Sequence, residues 1–293
     1  MNGVLVIDKP AGMTSHDVVN RVRRIMKEKS VGHLGTLDPM ATGVLPLVMG
    51  RLTRLAQFYS ESEKTYQGEI RFGFATNTYD AEGEMVGEIC DKPPSLEEIE
   101  RIAAEFRGKI RQTPPPFSAK KINGVPAYKL ARKDQEVELQ PVEVEIKTLE
   151  IFSMEGDRAR FSARVTSGTY MRSVAHDMGQ RLGCGAHLSS LRRTSVGEFE
   201  EADARTLEQL TAAVESGETE RVFVHPRRLL PAIPAVTATD EAAIMIRNGR
   251  PVNLPEMSKS RQVKVFRGQT ELIAIATRIA GTLFQPKVVF GAE

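Results

Sequence analysis

One carboxylate, Asp38, stands in the stretch GHLGTLDPMATGVLPLVMG (residues 32–50) among glycines, small residues and aliphatics. An ionised group in such company costs several kcal/mol to bury unless a partner offsets it. Gly32, Gly35 and Gly43 allow a ligand to approach the backbone closely, and Pro39 fixes the chain just after the acid. The stretch therefore reads as a tight loop that displays Asp38 into a cleft. A lone carboxylate held without a metal can act as a nucleophile or as a general base. On local pattern it can equally cap the turn that follows. To stay ionised in a dry pocket it needs a cation within about 4–6 Å. The segment SGTYMRS offers Arg172, in the first turn of a predicted helix, where the plainer alternative is a surface arginine. Other chemistries lack their motifs: there is no GxxxxGK[ST] loop, no GxGxxG fingerprint and no HExxH. His16, His33, His176, His187 and His225 are scattered, and Cys90 and Cys184 form neither a CxxC nor a Cys/His cluster. Metal catalysis has no motif to support it.

Regular elements must position these groups. GVLVIDKP reads as a short buried strand stopped by Pro10. TSHDVVNRVRRIMKEK reads as a helix capped by Thr14 or Ser15, with Val18, Val19, Val22, Ile25 and Met26 inward. TYQGEIRFGFAT alternates as a strand, with Tyr66, Ile70, Phe72 and Phe74 on one side. SLEEIERIAAEFRG is a helix with a capping box, Ser95 and Glu98, and Gly108 as its stop. ARFSARVT is another strand. SGTYMRSVAHDMGQRLG turns into a helix with Met171, Val174, Ala175, Met178 and Leu182 on one face. Strands and helices interleave without a regular βαβ period, which predicts an α+β fold: a mixed, largely antiparallel sheet flanked by helices. HPRRLLPAIPAV marks a linker, and RQVKVFRG, ELIAIATRI and LFQPKVVF beyond it predict a small β-rich C-terminal domain.

The 293 residues suffice for one large domain and a small one. No apolar run reaches the roughly 18 residues of a membrane span. The start, MNGVLVIDKP, has no signal-peptide pattern, and the sparse cysteines fit a reducing cytoplasm. The net charge of +2 says little about partners, but its distribution says more. Residues 118–133 carry five Lys/Arg and no acid, and residues 244–293 carry eight against three acids. Segregation of this kind points to a polyanionic partner.

With its neighbours, the Asp38 stretch resembles the signature motif of the bacterial tRNA pseudouridine-55 synthases, the TruB family, with Asp38 in the place of the catalytic aspartate. DKPAGMTSHDVVNRVR is similar to the family's N-terminal motif and KTYQGEIRFG to its tyrosine-bearing strand. SGTYMRSVAHDMG is similar to its arginine-bearing motif and LRRTSVGEF to a further segment. The match runs in order from Val4 to about Phe199, and the region after Ile233 resembles the family's PUA-like RNA-binding domain.

The resemblance implies a pseudouridine synthase domain over residues 1–232 and a PUA-like domain over 233–293. It implies an enzyme without cofactor or metal that flips uridine 55 out of the T loop of tRNA and isomerises it. Asp38 would be the attacking or proton-abstracting carboxylate, its first bond left open, and Arg172 its ion-pair partner. Tyr66 matches the stacking tyrosine, whose ring can return roughly 1–3 kcal/mol of the flipping cost and whose phenol could help remove the C5 proton. His33 matches a histidine that wedges into the RNA. Tyr170 and Leu191 match positions lining the uridine pocket, and Lys9 a lysine near the site. On pattern alone Tyr66, Tyr170 and Leu191 pass for core, and Lys9 for a strand-end lysine. A basic insertion at about 118–145 corresponds to the loop that family members fold over the T arm, with salt-sensitive phosphate contacts. The implied partner is the tRNA T-arm stem-loop, bound by a monomer with no guide RNA and no membrane. The alternative is an RNA-binding module that refolds tRNA over the same surface without catalysis.

Overall fold

The computed structural model describes residues 1–118, 120–122, 124–127, 130 and 139–290. Much of the basic insertion expected at about 118–145, including residues 131–138, thus lies outside the described residues.

The chain opens with β1 (Gly3–Lys9) and α1 (Ser15–Met26). Thr14 caps α1 in a reciprocal capping box with Asp17. β2 (Val31–His33) and β3 (Thr42–Met49) follow, so the loop expected across residues 32–50 is shorter, spanning residues 34–41. TGVLPLVM is a strand paired along its length with β1. An unbroken apolar run carries no alternation to announce a strand that is buried on both faces. β4 (Lys64–Phe72) then leads to α2 (Leu96–Glu105). The Ser95–Glu98 box starts α2, but the helix is capped at Phe106. Gly108, at φ +89°, opens β5 (Gly108–Gln112) instead of stopping the helix. β6 (Val142–Glu155), β7 (Arg158–Val165), α3 (Met171–Leu182), β8 (Ala186–Val196), β9 (Phe199–Glu200), β10 (Ala204–Arg205) and α4 (Leu207–Glu215) complete the large domain.

Its ten-stranded sheet runs β10-β1-β3-β8-β4-β7-β6-β5, with β9 beside β8 and β2 beside β3. Among the described strands of this sheet the pairs β1–β10 and β3–β8 are parallel and the others antiparallel. Alternation along β1 sends Leu5 and Ile7 to the face covered by the helices, with Val18, Ile102, Val174 and Leu210. Val4 and Val6 face the other way, into a second core with Val44, Val48 and Phe199. Phe266, Leu272, Ile275 and Phe290 of the C-terminal domain join this second core.

That domain comprises β11 (Ala235–Ala238), α5 (Asp240–Arg247), β12 (Val252–Asn253), β13 (Gln262–Arg267), β14 (Glu271–Ala280) and β15 (Leu283–Val289). Its sheet runs β11-β13-β14-β15-β12. The architecture is the expected one: a mixed, largely antiparallel sheet flanked by helices, with a small β-rich C-terminal domain. Among the described residues no helix is long and apolar enough to cross a membrane.

Candidate active site

The loop between β2 and β3 is held from several sides. Ser15, the first residue of α1, accepts from the Leu37 amide at 2.8 Å and donates to the Leu37 carbonyl at 3.1 Å. The Ala41 amide donates to the Asp38 carbonyl, closing a turn around Pro39, and the Gly12 amide donates to the Pro39 carbonyl. Lys9, at the end of β1, directs its ammonium to the carbonyls of Pro10, Met13 and Pro39 at 2.8, 2.6 and 3.1 Å. Gly43, where β3 begins, has φ +99°, and a Cβ there would stand 2.2 Å from the Arg193 carbonyl. The turn is therefore pressed onto β8 by a close approach that only glycine permits.

The turn leaves the Asp38 side chain part-exposed, at 36%, while Arg172 is buried at 4%. Arg172 grips the carboxylate with a two-pronged contact, Nε to Oδ2 at 2.9 Å and Nη2 to Oδ1 at 3.2 Å. The same guanidinium donates to the carbonyls of Thr78 and Phe117 and lies 3.5 Å from the buried Asp80 carboxylate. A cation in the first turn of α3 opposes the helix dipole, and two carboxylates with two carbonyls offset that cost. Asp80 sits in the turn between short strands at 75–76 and 85–86, and accepts from Thr78 Oγ1 and the Glu82 amide. Gln112, at the end of β5, accepts from the Tyr170 amide and donates to the Tyr170 carbonyl, fixing the entry to α3.

β4 and β8 place the remaining groups. Their register sets Tyr66 opposite Arg193 and Gly68 opposite Leu191. Tyr66 is 6% exposed, and burial pushes its phenol up, opposed by the neighbouring Arg193 guanidinium. Asp38 is near enough to act on the Tyr66 and Tyr170 phenols electrostatically. Burial raises the Tyr170 phenol as well. Burial lowers the Lys9 ammonium to about 8 despite the nearby Asp38. His33 is half-buried at the loop's entrance, where its Nδ1 accepts from the Gly35 amide. Burial and Arg193 lower its pKa.

Lys9, Tyr66, Tyr170 and Arg172 thus gather around Asp38, with Leu191 on the adjoining strand. His33 joins through Gly35, without a direct contact to the carboxylate among the described residues. Lys9 contacts loop carbonyls, not Asp38 itself. Sequence pattern assigns no part in the site to Asp80, Gln112 or Arg193, and reads Ser15 only as a helix cap. Asp80 lies in TNTYDAEG, a turn signature that marks a loop but not its acid's partner. Arg193 was in plain view in LRRTSVGEF, next to Arg192, and nothing local distinguishes the buried arginine from the half-exposed one.

A part-exposed carboxylate, paired with a buried guanidinium and flanked by two phenols, can attack an electrophile or take a proton. Residues 23–171 match the model of the TruB family pseudouridylate synthase N-terminal domain, and residues 172–233 that of the tRNA pseudouridylate synthase B C-terminal domain. The protein named tRNA pseudouridine synthase B of Solibacter usitatus is 50% identical over 292 residues, covering 99% of this chain and all of that one. The protein of the same name from Aquifex aeolicus is 40% identical over 295 residues, covering 98% and 99%. A solved structure of an H/ACA RNP bound to a substrate RNA containing 2′-deoxyuridine holds a similar chain. Its TM-score is 0.74 at 25% identity, over 99% of this chain and 85% of that one. A Cbf5-Nop10-Gar1 complex gives a TM-score of 0.73. With these likenesses spanning the whole length and the family models meeting within α3, the chain belongs to the TruB family of pseudouridylate synthases.

Proposed function

We propose that the protein converts uridine 55 in the T loop of tRNA to pseudouridine, with Asp38 as the catalytic carboxylate. The conversion breaks the N1–C1′ bond, joins C1′ to C5, and moves the C5 proton to solvent while N1 takes one up. Atoms and electrons balance within the nucleoside, so the reaction requires no oxidant, reductant or co-substrate, and we read it as cofactor-free. Arg172 supplies the counter-charge to Asp38 and aims its carboxylate. Tyr66 meets the base flipped from its stack and takes part in removing the C5 proton. Tyr170 and Leu191 line the uridine's place, His33 enters the space the base leaves, and Lys9 holds the loop from below. The observation that carries this reading is the two-pronged Arg172–Asp38 pair, in which the carboxylate is part-exposed and the guanidinium buried.

In this reading residues 1–232 form the catalytic domain and 233–293 a PUA-like RNA-binding domain, both engaging one tRNA as a monomer without a guide RNA. The basic charge of residues 118–133 suits the phosphates of the T arm. The test is to incubate purified protein with unmodified tRNA alone and map pseudouridine. The wild type should modify position 55, and Asp38→Asn should make none while its tRNA affinity stays within a few fold. Product from Asp38→Asn at the wild-type rate overturns the assignment of Asp38. Absence of product from the wild type, with tight tRNA binding, would favour a refolding module instead.

A further inference from the structure

Beneath the Asp38 loop lies a second guanidinium, within the LRRTSVGEF segment, to which the proposed chemistry assigns no role. Arg193 heads the fully buried side chains by size, with 0% of its surface exposed. Its Nε donates to the Val44 carbonyl at 2.8 Å, Nη1 to Thr36 at 3.2 Å and Nη2 to Gly35 at 3.0 Å. It forms no ion pair among the described residues. The acidic groups on which its charge acts are Asp38 and the Tyr66 phenol.

Desolvation works against a buried charge, and a packed hydrophobe would fill the same volume more cheaply. A hydrophobe, however, would take the donor from three carbonyls of the loop and its following strand, that of Val44 buried. The backbone of Arg193 is equally constrained. It sits opposite Gly43 in the β3–β8 pair and opposite Tyr66 in the β8–β4 pair. The planar fork of arginine spans three carbonyls at once, a geometry that a lysine ammonium does not reproduce.

We propose that Arg193 is a positioning residue for the isomerisation, tying the loop that carries Asp38 to β8 directly opposite Tyr66 so that both meet the uridine in one fixed relation. This rests on the proposed roles of Asp38 and Tyr66. The charge has a second consequence: burial drives the Tyr66 phenol up, and the guanidinium beside it works in the opposite direction.

The test compares Arg193→Lys, Tyr66→Phe and the double variant in single-turnover assays on tRNA. Rates are normalised to tRNA-binding sites, so that an unfolded fraction drops out. Arg193→Lys should leave KM near the wild-type value and lower the rate per binding site about tenfold to a hundredfold, the usual cost of a small misplacement of reacting groups. In the Tyr66→Phe background that loss should shrink, since part of it acts through the hydroxyl. A wild-type rate per site for Arg193→Lys, or losses that add fully with Tyr66→Phe, overturns the proposal. Should Arg193→Lys bind no tRNA, the ¹⁵N guanidinium resonances of Arg193 in Tyr66→Phe decide. They should shift from their wild-type positions, and unchanged resonances overturn the proposal. If Asp38→Asn is inactive and these variants behave as wild type, this inference alone fails. If Asp38→Asn is active, the catalytic reading fails first.

Discussion

Lys9 shows how a charge can serve a site without facing it. Its ammonium is fully buried and satisfied by three carbonyls, two of them in the chain just after β1 and one beside Asp38. Burial lowers its pKa from the ordinary 10.5 to about 8. Below about pH 8 the folded and unfolded chains both hold the proton, and stability does not change with pH on its account. Between pH 8 and 10.5 the unfolded chain holds it more tightly, so the folded state gains relative stability as pH rises. The unfolding free energy of the wild type minus that of Lys9→Met should therefore increase from pH 8 to pH 10 in urea titrations. Lys64, lowered to about 8 mainly by burial, is present in both proteins and cancels. A difference that stays flat over that window means the amine is not depressed. At this scale Asp38 and Arg172 were legible because a carboxylate among glycines and aliphatics demands a cation. Arg193 and Asp80 were not, because their partners are backbone carbonyls and a guanidinium distant in sequence.

The elements that carry the site depend on close strand approach more than on loop sequence. β3 lies between β1 and β8, and Gly43 is where all three meet, opposite both Lys9 and Arg193. A methyl at this position meets the Arg193 carbonyl at 2.2 Å and must also tolerate φ +99°. Gly217, after α4, has φ +77° with nothing within 4 Å, so a methyl there bears conformational strain alone. Gly43→Ala should cost about 3 kcal/mol or more, and Gly217→Ala about 1 kcal/mol, in urea unfolding. Equal costs would show that β3 and β8 can part without penalty. The caps of α1 and α2 and the alternation of β4 and β7 were readable, since each signal lies within one turn or strand of its cause. β3 escaped because strands buried on both faces lose the alternation that identifies them. The end of α2 was misplaced because Gly108 supplies the left-handed conformation to start β5, a role the sequence does not separate from a helix stop.

Across the whole molecule, the linker is bolted to both domains. Glu198, beside β8, accepts from the Tyr59 hydroxyl at 2.6 Å and from the Leu230 amide at 2.7 Å. From the other side the buried Lys264 of β13 donates to the carbonyls of Leu229 and Arg227 at 2.6 and 3.2 Å. Arg227 stacks over Phe266 at 4.6 Å, and the second hydrophobic core runs through the junction. The prolines of HPRRLLPAIPAV revealed a linker, but Tyr59, Glu198 and Lys264 are too far apart in sequence to reveal a latch. Such a latch holds the basic C-terminal domain at a fixed distance from Asp38. If that domain grips the same tRNA, a fixed spacing sets the effective concentration of the second contact. Lys264→Met strands the buried Leu229 carbonyl, at about 1–3 kcal/mol, takes a donor from the part-buried Arg227 carbonyl, and loosens the junction. It should weaken binding of full-length tRNA several-fold and leave binding of an isolated T-arm stem-loop unchanged, if the T arm meets the large domain alone as proposed. Filter binding with the two RNAs at one salt concentration checks this. Equal weakening on both would mean that Lys264 supports the catalytic domain itself. No weakening on either would mean that the C-terminal domain contributes nothing to tRNA binding, and its basic surface would need another partner.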